Sequence, residues 1–457
     1  MEDQREQQEQ KFREMTQAPV GRLVGRLAFP CIISMLVTAF YNMADTFFVG
    51  MMDSNAATGA VGVVFSMMAI IQAVGFFFGH GSGNFISREL GRRNTDSASN
   101  MAATGFFSAL FTGLLICVFG EIFLTPLAAF LGSSPTILPY AKDYLRVILI
   151  GAPWMTASLV LNNQLRFQGN AIYGTIGIAS GAVLNIGLDP LLIFVFDLGV
   201  AGAAWATIIS QFAGFCLLLA GCTRGATLHI HISRVQLKWS YFKLIIQGGL
   251  PSLARQSLAS VATICLNHAA MPYGDAAIAA MGVVQRITTF GASAMIGFGQ
   301  GFQPVCGFNY GARLYHRVKE GFWFCVKVAA VFLLVIGALG FAFAPQLIAL
   351  FRDDPGVIAI GTVALRFQCV TFFFQAWITM SNMMLQTIGR TVPATFVAMA
   401  RQGIFFIPLV WLLSLSPLGL LGVQMAQSVS DLLTLAAAVP IQLYVLRQMS
   451  QMQPAKV

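Results

Sequence analysis

Two acidic residues stand inside stretches that are otherwise apolar. Asp45 follows Tyr41 by four residues, and Asp189 follows Asn185 by four, so each acid shares a helical face with a polar side chain. An ionised group in hydrocarbon is costly unless it is paired or faces a watery cavity. At about 1.5 Å per residue, Asp45 lies about 8 Å, and Asp189 and Thr207 about 10 Å, below the outer ends of their helices. These groups therefore predict an oxygen-rich pocket for a proton or a sodium ion, the alternative being hydrogen bonds that only join helices.

The rest of the sequence consists mostly of long apolar runs. Of its 457 residues, 57% are hydrophobic and 10% are charged, whereas soluble proteins average about 45–50% and about 25%. This composition excludes a water-soluble fold. The net charge of +9 comes from short basic clusters between the apolar runs, so it indicates membrane orientation rather than nucleic-acid binding.

The apolar runs predict twelve transmembrane helices, because each run reaches the length of about 20 residues that spans a bilayer. They lie near residues 27–50, 57–87, 102–125, 139–165, 172–196, 199–222, 244–270, 277–307, 322–344, 356–388, 392–414 and 418–446. Nineteen Lys and Arg residues fall in the tails and the even-numbered loops, against only Lys142, Arg146 and Arg352 in the other loops. Since Lys and Arg concentrate in cytoplasmic loops, we predict a multi-pass protein of the cell (inner) membrane with both termini cytoplasmic.

The chain also repeats itself at an offset of 220 residues. The matching pairs include Gly62 and Gly282, Arg93 and Arg313, Asn162 and Asn382, Gly169 and Gly389, and Ser210 and Ser430. Six helices in each half give both halves the same orientation, which is the parallel kind of repeat found in many carriers. We therefore predict an all-α membrane protein, a monomer of twelve transmembrane helices in two parallel-repeat six-helix lobes around a central cleft.

The repeat and the loops set the predicted domain boundaries. They are a polar cytoplasmic tail at 1–20, an N-terminal six-helix lobe at 21–222, a basic cytoplasmic connecting loop at 223–243, a C-terminal six-helix lobe at 244–446 and a cytoplasmic tail at 447–457. Paired bundles of this kind carry substrate near the membrane midplane and rock between two orientations. The organisation thus favours a secondary transporter for small molecules.

The second half lacks the acids of the first. At the repeat offset, Asp45 becomes Cys265 and Asp189 becomes Leu409. The second half instead carries Arg255, Arg401 and Asp431 inside its apolar runs, and all three fall in the cytoplasmic half of the membrane or near its midplane. We predict a structural ion pair or triad there, since a buried charge is costly when it is left alone.

Motifs for other chemistry are lacking. The chain has no GxxxxGK[ST] run for nucleotides, no HExxH and no GxSxG. We therefore expect neither an enzyme nor a bound cofactor beyond the coupling ion. A membrane-embedded enzyme or receptor remains an alternative, which would need a catalytic cluster at a membrane face or a sizeable soluble domain.

Three stretches resemble the multidrug and toxic compound extrusion (MATE) family, especially its MepA-like branch. They are YNMADTFFVG, LRFQGN followed by VLNIGLDPLLIF, and GFGQGFQPVCGFNYGAR. The resemblance covers nearly the whole chain after the polar tail. It implies a V-shaped pair of six-helix lobes that exports cationic or amphipathic drugs and toxins in exchange for H⁺ or Na⁺.

The resemblance also implies roles for single residues. Asp45, Asn185, Asp189 and Thr207 match the family's cation site, which includes Na⁺ as a candidate metal. Tyr41 and Asn162 match residues of the substrate chamber, and Pro30 matches a helix-bending proline, a role that the loss of one helical hydrogen bond at proline also suggests. The tenth-helix acids of the NorM-like branch are absent from FQAWITMSNMM. A related architecture, the lipid-linked oligosaccharide flippase, is the alternative, and it should have a strongly cationic cleft.

Overall fold

A computed structural model describes residues 2–52, 54–224 and 228–452, and in these ranges the chain is almost entirely helical. The first half contains α1 Glu2–Gln17, α2 Val20–Gly50, α3 Asn55–Gly91, α4 Thr95–Ile122, α5 Leu124–Phe130, α6 Leu138–Phe167, α7 Ala171–Pro190 and α8 Gly199–Arg224. The second half contains α9 Trp239–Ala270, α10 Asp275–Gly311, α11 Tyr315–Ala342, α12 Ala344–Phe351, α13 Pro355–Thr371, α14 Phe374–Thr387, α15 Thr391–Met399, α16 Phe406–Leu415 and α17 Leu420–Gln451.

These helices account for the twelve predicted spans. Within the described ranges, nine helical segments are long and apolar enough to cross a membrane, and the bent pair α13 and α14 makes a tenth span. Helices α9 and α10, of 32 and 37 residues, occupy the seventh and eighth predicted positions. The all-helical architecture predicted from the sequence is confirmed, and the helix count is consistent with twelve spans.

Several spans are less regular than the apolar runs suggest. The predicted tenth span is broken between α13 and α14, which meet at 59°. The fifth span continues past Pro190 as a π-helix, Leu191–Val195, and the eleventh contains another, Ala400–Ile404. Such single π-turns often mark functional or strained positions. Apolar length alone does not reveal them.

Helix α2 corrects the expected position of Pro30. The sequence suggests a span that starts near residue 27, with Pro30 in its first turn, but α2 begins at Val20. Pro30 is therefore in the helix interior, where it removes one main-chain hydrogen bond and loosens the helix.

The chain forms two compact units. The N-terminal unit holds the described residues up to Met15 together with Ile33–Gly249, and the C-terminal unit holds Thr16–Ile32 with the described residues from Leu250 onward. Helices α2 and α9 thus each begin in one unit and end in the other. The change of unit falls two residues after Pro30 in α2 and next to Pro251 in α9.

Helix α6 is the centre of the N-terminal unit. It packs against α3, α4, α7 and α8. In the most apolar 18-residue stretch of α6, 72% is buried, whereas the corresponding share is 22–44% in the other eight segments that could cross a membrane. Close approach to α3 depends on glycines spaced by four residues: a Cβ on Gly75 would lie 2.6 Å from Leu159 Cδ1, and one on Gly79 would lie 2.8 Å from Asn163 Nδ2. Small residues at this spacing allow membrane helices to pack tightly.

The polar N-terminal tail is also helical. Helix α1 belongs to the N-terminal unit, where Glu9 lies 3.2 Å from Arg93 and the Arg93 guanidinium lies 4.2 Å from the Phe12 ring centre. Met15 is fully buried. The predicted tail at the other end, residues 447–457, continues α17 to Gln451, and its part from 453, with Lys456, lies outside the described residues.

The C-terminal unit contains one of the ion pairs expected from its sequence. Arg401 Nε donates to Asp431 Oδ1 at 2.8 Å, and the two side chains are 26% and 1% exposed. Gln427 Nε2 donates to the same oxygen at 3.0 Å, and Ser430 Oγ donates to the Arg401 carbonyl at 2.6 Å. The pair joins the π-helical turn before α16 to the middle of α17.

Arg255 does not join the pair that Arg401 forms with Asp431. Its Nη1 lies 3.4 Å from Asn382 Oδ1, and Asn382 in turn donates from Nδ2 to the Ala394 carbonyl at 2.7 Å. Arg255 therefore joins α9 to α14 and α15. The structure pairs Arg401 with Asp431 and ties Arg255 to an amide.

Replacing Asp431 by Asn should destabilise the protein, because it leaves the Arg401 charge without its counterion in a mostly apolar setting. We expect a loss of about 3 kcal/mol, at the low end for a buried pair because Arg401 retains some exposure. Thermal unfolding in detergent would measure it. Asp353→Asn, at an exposed acid of the same unit, is the control and should unfold like the wild type. An Asp431→Asn protein of unchanged stability but altered ion dependence would show that the pair is functional instead.

Candidate cation site in the N-terminal unit

Asp45 and Asp189 are brought together from α2 and α7. Asp189 is fully buried and Asp45 is partly buried. Each has one buried carboxylate oxygen, Oδ1, that receives no hydrogen bond from the described protein. Because an unsatisfied buried acceptor is costly, these two oxygens are available as acceptors for a further group.

Asn185 and Thr207 hold the second acid in place. With its amide nitrogen turned toward the acceptor, Asn185 donates to Asp189 Oδ2 at 3.1 Å and accepts from the Thr207 backbone N–H at 3.3 Å. Thr207 Oγ1 donates to the Ala203 carbonyl at 3.0 Å. Asn185 and Thr207 are both buried. The amide thus connects α7 to α8 and fixes the direction of the Asp189 carboxylate.

Two tyrosines complete the cluster. The Tyr41 hydroxyl interacts with the side chains of Thr207 and Gln211 and lies within electrostatic range of both carboxylates. Tyr144 of α6 is fully buried, and it too lies within electrostatic range of both acids. Its hydroxyl has no hydrogen-bond partner of ordinary geometry in the described protein. The Tyr144 hydroxyl also lies near the Thr207 side chain, so it adds one more oxygen to the cluster.

Tyr144 and Gln211 were not predicted, although the sequence contains a signal for each. Tyr144 lies about 9 Å below the start of its span at 1.5 Å per residue, which is the same level as the acids. Gln211 follows Thr207 by four residues and shares its helical face. The depth argument applied to Asp45 would have found Tyr144, had it been extended from charged to phenolic side chains.

The cluster is acidic, and among the described residues neither of its acids forms an ion pair. The ion pairs found in the described N-terminal unit involve other acids, namely Glu9, Glu14, Glu89, Asp96 and Glu121. Two carboxylates, an amide, a threonine hydroxyl and two phenols are all hard oxygen or hydrogen-bonding groups. This donor set suits a proton or a small hard cation and does not suit a soft metal.

Asn162 and Pro30, predicted as a chamber residue and a bending residue, lie elsewhere. Asn162 packs against α7, where its Nδ2 would be 2.7 Å from a Cβ on Gly174. It is eighteen residues along α6 from Tyr144, or about 27 Å. Pro30 belongs to the C-terminal unit. Neither residue is part of the carboxylate cluster. Of the two predicted chamber residues, Tyr41 belongs to the cluster and Asn162 does not.

The second half has no equivalent cluster at the matching positions. Cys265, the counterpart of Asp45, packs against the apolar core of the C-terminal unit. Phe405 and Leu409 stand where Asn185 and Asp189 would be. The two halves share their helical frame but not this chemistry.

Comparison with known proteins agrees with the internal duplication. The MatE family model matches twice, at residues 30–191 and 251–412. Multidrug export protein MepA of Staphylococcus haemolyticus is 27% identical over 408 residues, covering 89% of this chain and 90% of that protein.

Solved structures are similar over the same extent. The outward-facing conformation of a multidrug resistance MATE family transporter of the MOP superfamily has a TM-score of 0.91 at 25% identity, covering 97% of this chain and 98% of that one. A MATE crystal structure in the bent conformation has a TM-score of 0.89 at 25% identity, covering 96% and 98%. With both halves matched by the family model and nearly the whole length matched by relatives and structures, the chain belongs to the MatE family of membrane transporters.

Proposed function

We propose that this protein is a secondary active antiporter that exports cationic or amphipathic drugs in exchange for H⁺ or Na⁺, with its cation site at Asp45, Asn185, Asp189 and Thr207. The observation that carries the proposal is the pair of buried carboxylate oxygens without hydrogen-bond partners. Asp431, a buried acid of the other unit, has a counterion in Arg401, whereas neither Asp45 nor Asp189 is paired with a basic side chain in the described ranges. Both acids, one from α2 and one from α7, lie within electrostatic range of Tyr41 and Tyr144.

Coupling follows from the charge of this pocket. When both acids are ionised they repel each other in a medium of low effective dielectric, so they titrate as a coupled pair. A proton or Na⁺ from outside removes that repulsion and lets the outer part of α2 approach α7 and α8. An ion that binds the contracted state more tightly by a few kcal/mol is enough to shift the population.

Contraction then drives export. In this scheme the movement of α2 narrows the chamber to which Tyr41 and Asn162 contribute, and it displaces the bound drug. Pro30 lowers the resistance of α2 to bending because one of its main-chain hydrogen bonds is missing. The two lobes alternate access between the membrane faces. The family relative described in a bent conformation and the relatives described as multidrug exporters support this reading.

The first prediction from this mechanism concerns the two acids. Asp45→Asn and Asp189→Asn should each reduce gradient-driven export of a fluorescent organic cation to the leak rate, because an amide cannot exchange the coupling charge. Proteoliposomes with imposed pH or Na⁺ gradients would measure the rate. Asp143→Asn, at an exposed acid on α6 of the same unit, is the matched control and should export normally. Normal export by either pocket variant would refute the site.

The second prediction concerns competition between drug and cation. Because cation binding favours the contracted state, drug affinity of the purified wild type should fall as Na⁺ rises or as pH falls, and it should rise again at higher pH. In Asp45→Asn, which is permanently neutral at that position, this dependence should flatten. Equilibrium binding in detergent across pH and Na⁺ concentration gives the answer. Wild-type affinity that is indifferent to both ions would contradict competition through this pocket.

The third prediction separates a ligand role of Tyr144 from a packing role. Tyr144→Phe removes a buried hydroxyl that makes no hydrogen bond of ordinary geometry in the described protein, so thermal stability should be unchanged or higher. If the hydroxyl contacts the bound cation, the ion concentration for half-maximal export should rise by about three- to tenfold, the worth of one hydrogen bond. A variant with unchanged ion dependence would assign Tyr144 to packing alone.

A further inference from the structure

A groove of about 450 Å³ lies between α15 and α17 in the C-terminal unit. Its wall is apolar and is formed by Pro393, Pro440, Ile441 and Val445. Arg390, Tyr444 and Gln448 line its other end. The volume falls in the range of about 300–1,000 Å³ that is typical of small-molecule sites. The carboxylate cluster described above belongs to the other unit, so this groove is separate from the proposed cation site.

The groove is not a necessary consequence of the fold, as the first half shows. At the repeat offset, Pro393 corresponds to Tyr173 and Ile441 corresponds to Gly221. In the first half the Tyr173 side chain packs directly on Gly221, where a Cβ would lie 3.1 Å from Tyr173 Cβ. The space between the two equivalent helices is therefore filled by an aromatic side chain in the first half, whereas in the second half a proline leaves it open.

At the polar end of the groove, three side chains are joined to one another by hydrogen bonds. Arg390 Nη2 donates to Gln448 Oε1 at 2.9 Å, and Gln448 Nε2 donates to the Tyr444 hydroxyl oxygen at 2.9 Å. A guanidinium has five N–H donors, of which this bond uses one, and Tyr444 keeps its own O–H to donate. No acidic residue lines the groove, so the Arg390 charge has no carboxylate beside it there. This arrangement is complementary to a phosphodiester.

The surroundings are apolar and exposed. Tyr444, Leu443 and Val392 are 64%, 44% and 80% exposed on the two helices that form the groove. Arg390 immediately precedes α15, and α17 ends three residues after Gln448. The charged end thus lies at the level where these two helices leave the membrane, and the apolar wall continues along their lipid-facing surface. Basic side chains at this level and Tyr at the interface are typical of contacts with lipid headgroups.

We propose that this groove binds one anionic phospholipid, with the phosphate on Arg390 and Tyr444 and an acyl chain along Pro393 and Ile441. A lipid fits better than free phosphate because more than half of the lining residues are apolar and the groove is flanked by exposed hydrophobic side chains. An anionic lipid fits better than a zwitterionic one because the Arg390 charge has no acid beside it in the groove. The proposal does not depend on the cation site.

Native mass spectrometry of the full-length protein would test this site. The purified protein is titrated with phosphatidylglycerol or with phosphatidylcholine of the same acyl chains, and inorganic phosphate is titrated in a third arm. The wild type should retain one phosphatidylglycerol more tightly than phosphatidylcholine. Arg390→Gln should weaken that binding by about tenfold, as expected for the loss of a charged hydrogen bond.

A second variant keeps the charge but fills the groove. Pro393→Tyr combined with Ile441→Gly installs the residues of the first half and should also abolish the preference for phosphatidylglycerol, with Arg390 intact. Arg352→Gln, at an exposed arginine of the same unit, is the control and should bind like the wild type. If Arg390→Gln fails to fold, the filled variant decides. Equal binding of the two lipids by the wild type, unchanged binding in the folded variants, or displacement of the lipid by inorganic phosphate would overturn the proposal.

Discussion

A lipid bilayer offers no water to complete the hydrogen bonds of a buried polar group, and this constraint determines which polar residues of the protein are structural and which remain available. Asp431 has a charged partner in Arg401, and Arg255 is within hydrogen-bond distance of Asn382. Asp189 is equally buried, yet one of its oxygens has no partner in the described protein. Asp431 also keeps one buried oxygen, Oδ2, without a partner, but its charge is balanced by Arg401, whereas Asp189 is paired with no basic side chain in the described ranges. The same physical cost thus separates the two kinds of site.

The duplication shows how one helical frame supports different chemistry. Tight packing at equivalent places is retained, since a Cβ on Gly79 would meet Asn163 and one on its counterpart Gly299 would meet Met383 and Met380. The side chains between those contacts have diverged without disturbing the frame. Carboxylates were kept in one half, an ion pair and a groove in the other.

Irregular helix geometry coincides with the polar sites. A π-helical turn follows Pro190, directly after Asp189, and another carries Arg401. Such turns cost main-chain hydrogen bonds and turn neighbouring side chains away from the regular helical register. Pro30 and Pro251 lie next to the points where α2 and α9 pass from one unit to the other. Helices α2 and α9 therefore have the least resistance to bending near the points where they pass from one unit to the other.

The sequence by itself determined the membrane class, the spans and the duplication, because long apolar runs and a constant repeat offset are one-dimensional signals. It also indicated the level of Asp45 and Asp189, since helix rise converts residue number into depth. Only the tertiary structure decided which groups meet: Tyr144 joins the acids, Asn162 does not, and Arg255 is tied to an amide rather than to Asp431. Depth along a helix is set by sequence, but the direction in which each helix faces depends on how all its neighbours pack.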